Sequence, residues 1–175
     1  IFRALGRAIF FQQLAGPAAR AIMNRVLATL GTDDQLWYTP QQMLAATDEE
    51  LRAAGLSRQK LTYLRDLAEK FASGELTEND FHHLDDEDVI QKASSVKGIG
   101  RWTAEMLLIF TLDRPDVLPV DDLGVRRGMQ ISYGLADLPK PDEMRRIAEA
   151  WQPFRSAGTW YMWRSLGVEL PENGR

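Results

Sequence analysis

The chain has 175 residues, a formal net charge of −4 and no cysteine. Without cysteine it cannot form disulfides, cysteine-ligated zinc sites or iron–sulfur clusters, and none of its apolar runs reaches the roughly twenty residues needed to cross a bilayer. The acidic balance argues against broad nucleic-acid contacts, because surfaces that bind phosphates are normally basic. A local cluster of bases can still outweigh the total charge.

Turn and capping signals divide the chain into about ten predicted helices, and strand-like alternation is nearly absent. The first helix stops at Gly16–Pro17, and the capping box Thr47-x-x-Glu50 begins the fourth. In chain order the predicted helices cover about 2–15, 17–31, 39–45, 47–54, 58–71, 85–93, 101–112, 122–133, 141–150 and 153–166. We therefore expect an all-α fold, a two-lobed helical bundle that forms one domain over residues 1–175.

The stretch from Val96 to Ala104 is typical of one helix ending, a tight Gly-x-Gly turn and a second helix beginning. Gly98 and Gly100 tolerate positive φ and close backbone approach, so the turn can present bare amide groups. A helix that begins near Arg101 would direct those amides, and the positive end of its dipole, at an anion such as phosphate. Such turns also join helices without any ligand, so the turn alone does not identify a phosphate site.

A second segment, Leu118-Pro119-Val120-Asp121-Asp122, places two adjacent carboxylates at the start of a predicted helix. An aspartate before a helix is commonly only an N-cap. The combination of Gly-Ile-Gly, an apolar helix and Pro-Val-Asp is much rarer than either part alone.

Together the two segments resemble the helix-hairpin-helix and catalytic aspartate of a superfamily of DNA glycosylases. Gly-Ile-Gly-Arg-Trp-Thr-Ala, residues 98–104, is most similar to the 3-methyladenine DNA glycosylase II (AlkA) branch, and Pro153–Ser156 resembles that branch's Pro-aromatic-Arg-Ser segment. The resemblance implies two helical subdomains that flank a DNA- and base-binding cleft, with the hairpin at about 86–112. It also implies base-excision repair, by hydrolysis of the N-glycosidic bond of alkylated purines (3-methyladenine, 7-methylguanine type) in duplex DNA.

In the resembling family the catalytic aspartate follows a Pro-Val-like pair, which here points to Asp121. A buried carboxylate beneath the sugar would stabilise the positive charge that develops there and orient the attacking water. Asp122 falls where an N-cap or pocket residue would sit, and it is the alternative catalytic residue. Members that also cut the strand carry a lysine at the position of Trp102, so the resemblance implies a monofunctional glycosylase without lyase activity.

The resemblance also implies a base pocket and a wedge that fills the space left by an extruded base. The pocket residues are Trp102, Met106, Asp122 and Trp163, although aromatic residues at helical spacing are also common in cores. The branch's bacterial type member has tyrosines at the positions of Met106 and Asp122, so the substrate range can differ. The wedge is Gln13, with Leu14 as the alternative, unless this segment is only a helix end.

Contacts to the DNA backbone are expected from the hairpin, and the implied residues are Lys97, Gly98, Ile99, Gly100, Arg101 and Thr103. The resemblance further implies a monovalent cation, Na⁺ or K⁺, held by main-chain carbonyls around Ser94, Val96 and Ile99. No cofactor is required for the implied reaction. The adjacent histidines His82 and His83 are not expected to bind a metal, because neighbouring residues do not share one face of a helix.

The implied partner is damaged double-stranded DNA, and the protein is expected to bind it as a monomer. The expected compartment is the one that contains the DNA, the bacterial cytoplasm or the nucleus. A glycosylase for oxidised, deaminated or mismatched bases is an open alternative. A non-enzymatic helix-hairpin-helix DNA-binding module would explain the glycines but not Pro-Val-Asp. A helical protein-interaction domain would explain neither segment.

Overall fold

The computed structural model describes residues 1–32 and 37–167, and within these ranges every regular element is helical. The all-α prediction is therefore confirmed. The chain divides into two compact units, Ile1–Ala104 and a second that begins at Glu105. In the described ranges, no helix is long and apolar enough to span a membrane.

The described residues of the first unit form seven complete helices, and an eighth begins at its end. These are α1 (Phe2–Phe11), α2 (Gly16–Thr29), α3 (Pro40–Ala45), α4 (Asp48–Ala53), α5 (Arg58–Ala72), α6 (Glu78–His83), α7 (Asp86–Ser94) and α8 (Arg101–Phe110). The central element is α5, which packs against α1 and α3. Its apolar stripe recurs every three or four residues, so Leu61, Leu64 and Leu67 are all buried on one face.

Local signals define most of these helix starts. The Thr47 hydroxyl accepts from the Glu50 amide, and the Glu50 carboxylate accepts from the Thr47 amide, which confirms the predicted capping box. A second box of the same kind, formed by Thr39 and Gln42, begins α3. Each such N-cap typically contributes about 1 kcal/mol to stability.

Two features of this unit differ from the sequence prediction. The first helix ends at Phe11 rather than Ala15, and Gln13 adopts a φ of +55°, a left-handed conformation that no helix contains. The helix α6 was not predicted at all. It is polar and short, with only Phe81 buried, and it is defined by the Thr77 cap rather than by apolar periodicity.

The second unit comprises the rest of α8, α9 (Leu123–Tyr133), α10 (Pro141–Ala148), a 3₁₀ turn (Glu149–Trp151) and α11 (Arg155–Ser165). Its core is a cluster of seven buried residues, Val120, Val125, Met129, Met144, Ala148, Met162 and Trp163. Gly128 lets α9 and α11 approach closely, because a β-carbon there would overlap the main-chain oxygen of Met162. The segment that carries Asp121 is thus attached to a packed helix pair.

Candidate active site

The hairpin between α7 and α8 is built around one glycine with a positive φ. Gly98 has a φ of +83°, and a β-carbon there would overlap the ring of Tyr63 on α5. Gly100 lies outside the left-handed region, and a β-carbon there would meet no atom within 4 Å. The expectation of a positive-φ turn is therefore right for Gly98 and wrong for Gly100. A side chain at position 100 would project into open space.

The hairpin amides are only partly bare, which corrects the expectation that all of them are. The Lys97 amide donates to Oδ2 of Asp66 at 2.9 Å, and the Ile99 amide donates to the Val96 carbonyl at 3.0 Å. These amides have partners because α5 supplies an acceptor and the turn closes on itself. Gly98 and Gly100 are both exposed, and Gly100 directly precedes α8, where helix geometry provides no intrahelical acceptor for the first N–H groups.

Both predicted phosphate-binding cations have carboxylate partners. The Lys97 ammonium lies 3.0 Å from Oδ1 of Asp66, and the Arg101 guanidinium makes two hydrogen bonds to Glu87 at 3.0 and 2.5 Å. Burial opposes ionisation of Asp66, but hydrogen bonds and charge from Lys97 outweigh it and hold the pKa of that carboxyl below its usual value. The same pair raises the pKa of Lys97. The pair between Arg101 and Glu87 is exposed on both sides and therefore weak, so a phosphate can compete for Arg101. The Lys97 side chain is exposed as well, although its partner Asp66 is buried.

The predicted wedge lies in the turn between α1 and α2, which we call the wedge turn (Gln12–Ala15). Gln13 and Leu14 are both exposed. The side chain of Gln12 donates from Nε2 to the Gly98 carbonyl at 2.7 Å. The wedge turn and the hairpin are therefore in direct contact within the first unit.

Trp102 is the largest exposed side chain at the start of α8, with 49% of its surface accessible. Thr103 beside it is half-buried. Met106 lies one helical turn after Trp102, and it packs against the core cluster of the second unit. The pocket roles of Trp102 and Met106 stay predictions.

The two adjacent carboxylates have different environments. Asp122 is the N-cap of α9, because its Oδ1 accepts from the Val125 amide at 2.7 Å and also from Nε1 of Trp163 at 2.9 Å. Asp121 is exposed, rather than buried as expected. Within the part of the chain that the structure describes, its carboxylate has no hydrogen-bond or ion-pair partner. One carboxylate is occupied in holding the helix start, and the other is open to a ligand.

Trp163 is part of the core as well as a partner of Asp122. It is only 6% exposed, and its ring stacks on Phe110 with centroids 5.8 Å apart and planes 19° apart. One ring face is therefore covered by protein. Stacking of Trp163 on an extruded base stays a prediction, while its indole N–H has a defined role in orienting the Asp122 carboxylate.

The segment before Asp121, residues 114–117, is anchored to the start of α11. No role for the residues that form this anchor followed from the sequence alone. Arg155 binds Asp116 through two side-chain hydrogen bonds, of 2.7 and 2.8 Å, and its amide adds a third at 3.1 Å. Hydrogen bonds and charge from Arg155 outweigh partial desolvation and lower the pKa of Asp116. The Ser156 hydroxyl donates to the Arg114 carbonyl and accepts from the Val117 amide. Arg155 and Ser156 belong to the segment quoted for its resemblance, but nothing in the sequence pairs them with residues 114–117.

The predicted cation site consists of main-chain carbonyls at the end of α7 and in the hairpin. The Val96 carbonyl accepts one hydrogen bond, from the Ile99 amide at 3.0 Å. A carbonyl oxygen has two lone pairs, so Val96 retains one that can face an ion. Carbonyl oxygens suit hard cations, and the donor set of Ser94, Val96 and Ile99 therefore fits the implied ion, which stays a prediction.

Comparisons with known proteins identify the family of this chain. The sequence model of the HhH-GPD superfamily base excision DNA repair proteins matches residues 7–153. DNA-3-methyladenine glycosylase 1 of Schizosaccharomyces pombe is 38% identical over 165 residues, which cover 94% of this chain and 72% of that protein.

Two solved structures are similar along almost the whole chain. The S. pombe 3-methyladenine DNA glycosylase Mag1, in complex with abasic DNA, superimposes with a TM-score of 0.79 at 37% identity, covering 95% of this chain and 81% of that one. A DNA-3-methyladenine glycosidase of Bacillus halodurans gives a TM-score of 0.87 at 36% identity, covering 95% and 76%. The resemblance drawn from the hairpin and the Pro-Val-Asp segment is confirmed. The chain therefore belongs to the HhH-GPD superfamily of base excision DNA repair proteins.

Proposed function

We propose that this chain is a monofunctional DNA glycosylase that hydrolyses the N-glycosidic bond of alkylated purines in double-stranded DNA. The observation that carries the proposal is the open carboxylate of Asp121, placed directly before the capped start of α9 in a chain of this superfamily. The names of its relatives support the substrate class, because the S. pombe and B. halodurans proteins are both called 3-methyladenine glycosylases or glycosidases.

The chemistry follows from the leaving group. A purine alkylated on a ring nitrogen can carry a positive charge, and it departs with the electron pair of its bond to C1′, which neutralises the ring. Positive charge develops on the sugar, where the carboxylate of Asp121 stabilises it. A water oxygen then bonds to C1′ and loses its proton, with Asp121 as acceptor or orienting group. No strong general acid is needed, because a cationic purine is already a good leaving group.

The rings suit the same substrate class. A cation over an indole face gains about 0.5–2 kcal/mol, so Trp102 favours a cationic base over a neutral one. Trp102 is exposed and Met106 lies one turn further along α8. The flexible side chain of Met106, where it contacts the base, would accommodate several alkylated purines.

The DNA backbone would bind at the exposed glycines of the hairpin and the start of α8. Lys97 and Arg101 would exchange their carboxylate partners for phosphates. Because the protein is acidic overall, we expect it to neutralise only a few phosphates of the DNA. A monovalent cation at the carbonyls of Ser94, Val96 and Ile99 would add positive charge between the hairpin and a phosphate. Gln13 or Leu14 would fill the space that the extruded base leaves. We infer that the protein acts as a monomer in the compartment that contains the DNA, the bacterial cytoplasm or the nucleus.

A valine at position 100 tests the hairpin as the phosphate contact. The Gly100→Val side chain would project into open space, so we expect at most about 1 kcal/mol of lost stability, the scale of a poorer N-cap. We expect clearly weaker binding to abasic-site DNA, measured by titration at fixed salt, because the side chain would block close approach of a phosphate. Unchanged affinity would refute the hairpin as the phosphate contact.

Trp102 leads to a second prediction, about the reaction path. With no lysine at this position there is no amine to form a Schiff base with the sugar. We expect the DNA strand to stay intact after base release, and borohydride treatment during turnover to give no covalent protein–DNA adduct. A bifunctional glycosylase serves as the positive control. A trapped adduct would contradict the hydrolytic path and point to Lys97 or another amine.

The proposed substrate class is tested with duplexes that each carry one lesion. We expect N-alkylated purines to be removed faster than oxidised, deaminated or mismatched bases, with abasic sites revealed by alkaline cleavage. Faster removal of an oxidised or mismatched base would assign the chain to another substrate class of the same superfamily. Binding without removal of any base would leave only a DNA-binding module.

A further inference from the structure

The wedge turn and the hairpin are 86 residues apart in the sequence and are joined by one side chain. Gln12 donates from Nε2 to the Gly98 carbonyl at 2.7 Å. Gly98 is the hairpin residue with positive φ, and Gln12 immediately precedes the predicted wedge, Gln13. This hydrogen bond therefore connects the two parts of the first unit that are proposed to contact DNA.

Helix α5 holds both ends of this connection. The Lys60 ammonium donates to the carbonyl of Phe10 in the last turn of α1. Tyr63 supports Gly98 with its ring, and Asp66 accepts from the Lys97 amide. These three side chains are spaced three residues apart, so they lie along one face of α5 and fix the end of α1 against the hairpin.

The wedge itself is held in an uncommon conformation. A non-glycine residue with a φ near +55° is disfavoured and persists only where its surroundings fix it. Gln13 is exposed, so packing of its own side chain does not fix it. The neighbouring Gln12 is bonded to the hairpin on one side and continuous with α1 on the other, so the chain that enters Gln13 is held at both.

We propose that Gln12 is a positioning residue, which holds the wedge at a fixed distance from the phosphate-binding hairpin. The inference rests on the proposed function, because a wedge matters only in an enzyme that extrudes a base. When the hairpin binds a phosphate, the position of Gln13 relative to that phosphate is therefore already set. The ordering of the wedge is completed before DNA binds, which reduces the entropic cost of insertion.

The chemistry of the Gln12 side chain allows its positioning role to be distinguished from a contribution to folding. The hydrogen bond between Gln12 and Gly98 is exposed, so its loss should lower the free energy of unfolding by no more than about 1 kcal/mol. The interaction needs an N–H donor and no charge. Methionine is similar in length to glutamine and lacks the donor, whereas lysine is long enough to reach the Gly98 carbonyl with a donor.

The test uses the whole chain and a duplex with an abasic-site analogue opposite 2-aminopurine, whose fluorescence rises when it is unstacked. The signal at saturating protein reports wedge insertion independently of affinity. The variants are Gln12→Met, Gln12→Lys and Gln13→Ala, alone and combined as Gln12→Met with Gln13→Ala. Gln130→Met is the matched control, because its side chain also donates to a main-chain carbonyl, that of Ala136.

We expect Gln12→Met to lower the ratio of inserted to withdrawn wedge about fivefold, the effect of one ordinary hydrogen bond. Gln12→Lys should restore most of the signal, and Gln130→Met should match the wild type. In the Gln13→Ala background, Gln12→Met should have little further effect, because both changes act through the same wedge. Thermal unfolding of all variants should stay close to that of the wild type.

Three results would overturn the inference. They are a full signal from Gln12→Met, additive effects of Gln12→Met and Gln13→Ala, and a Gln12→Lys variant as defective as Gln12→Met. Base release by the wild type is measured separately and tests the proposed function. If the wild type releases base and any of these three results is found, only the positioning role of Gln12 is overturned. If the wild type neither releases base nor changes the fluorescence, the proposed glycosylase function is overturned as well.

Discussion

The Asp121→Asn variant is expected to excise alkylated purines about two to three orders of magnitude more slowly than the wild type, the usual cost of removing one electrostatic stabiliser. The amide keeps the size of the side chain and loses the charge that would face the developing cation on the sugar. Asp121 is exposed and has no partner among the described residues, so nothing in the fold depends on its charge. Single-turnover excision at saturating enzyme, together with affinity for abasic-site DNA, separates loss of chemistry from loss of binding.

Asp122→Asn is the matched control, one residue away. An asparagine at 122 keeps the side-chain oxygen that accepts from the Val125 amide and from Nε1 of Trp163, so the start of α9 is preserved. We expect its excision rate to fall far less than that of Asp121→Asn. An inactive Asp122→Asn with an active Asp121→Asn would show that the assignment is wrong by one residue.

The Gly98→Ala variant is expected to lose about 2–5 kcal/mol of stability, from two sources. An alanine at a φ of +83° is strained by about 1–2 kcal/mol, and its β-carbon would overlap the Tyr63 ring, an overpacking cost of about 1–3 kcal/mol. The hairpin would have to move away from α5, so binding to abasic-site DNA should weaken as well. Chemical denaturation measures the first effect, and titration at fixed salt measures the second.

Gly100→Ala is the control for Gly98→Ala, because it adds the same β-carbon two residues later in open space. We expect it to cost no more than about 1 kcal/mol, the price of a poorer N-cap. A Tyr63→Ala substitution in the Gly98→Ala background removes the overlap and leaves the strained φ, so it separates the two sources. Equal stability losses at 98 and 100 would contradict the hairpin geometry described above.

Most of the fold could be predicted because its signals are local. The Thr47 capping box, the Gly16–Pro17 boundary and the leucine stripe of α5 each occupy a few neighbouring residues. The failures have physical reasons too. Helix α6 carries one buried residue, Phe81, so apolar periodicity could not reveal it. The early end of α1 coincides with contacts to distant residues, because Lys60 of α5 binds the Phe10 carbonyl and Gln12 binds the Gly98 carbonyl of the hairpin.

The candidate site was predictable in its motifs and not in its supports. The hairpin and Pro-Val-Asp follow from short sequence patterns, and Asp122 could be foreseen as an N-cap. Asp66, Gln12 and Asp116 act through partners 31, 86 and 39 residues away, and no spacing rule in one sequence connects such positions. The same limit explains why Lys97 was expected to be free for phosphate although it pairs with Asp66.

The central claim is hydrolytic release of an alkylated purine by this chain, and its most direct measurement is the mass balance of that reaction. The chain is incubated with methylated duplex DNA, and free bases, abasic sites and strand breaks are quantified from the same sample before any alkaline step. We expect one free N-alkylated purine per abasic site, intact strands, and at least about a hundredfold slower formation of both products with Asp121→Asn. Strand breaks in step with base release, or no free base from any methylated duplex, would contradict the central claim.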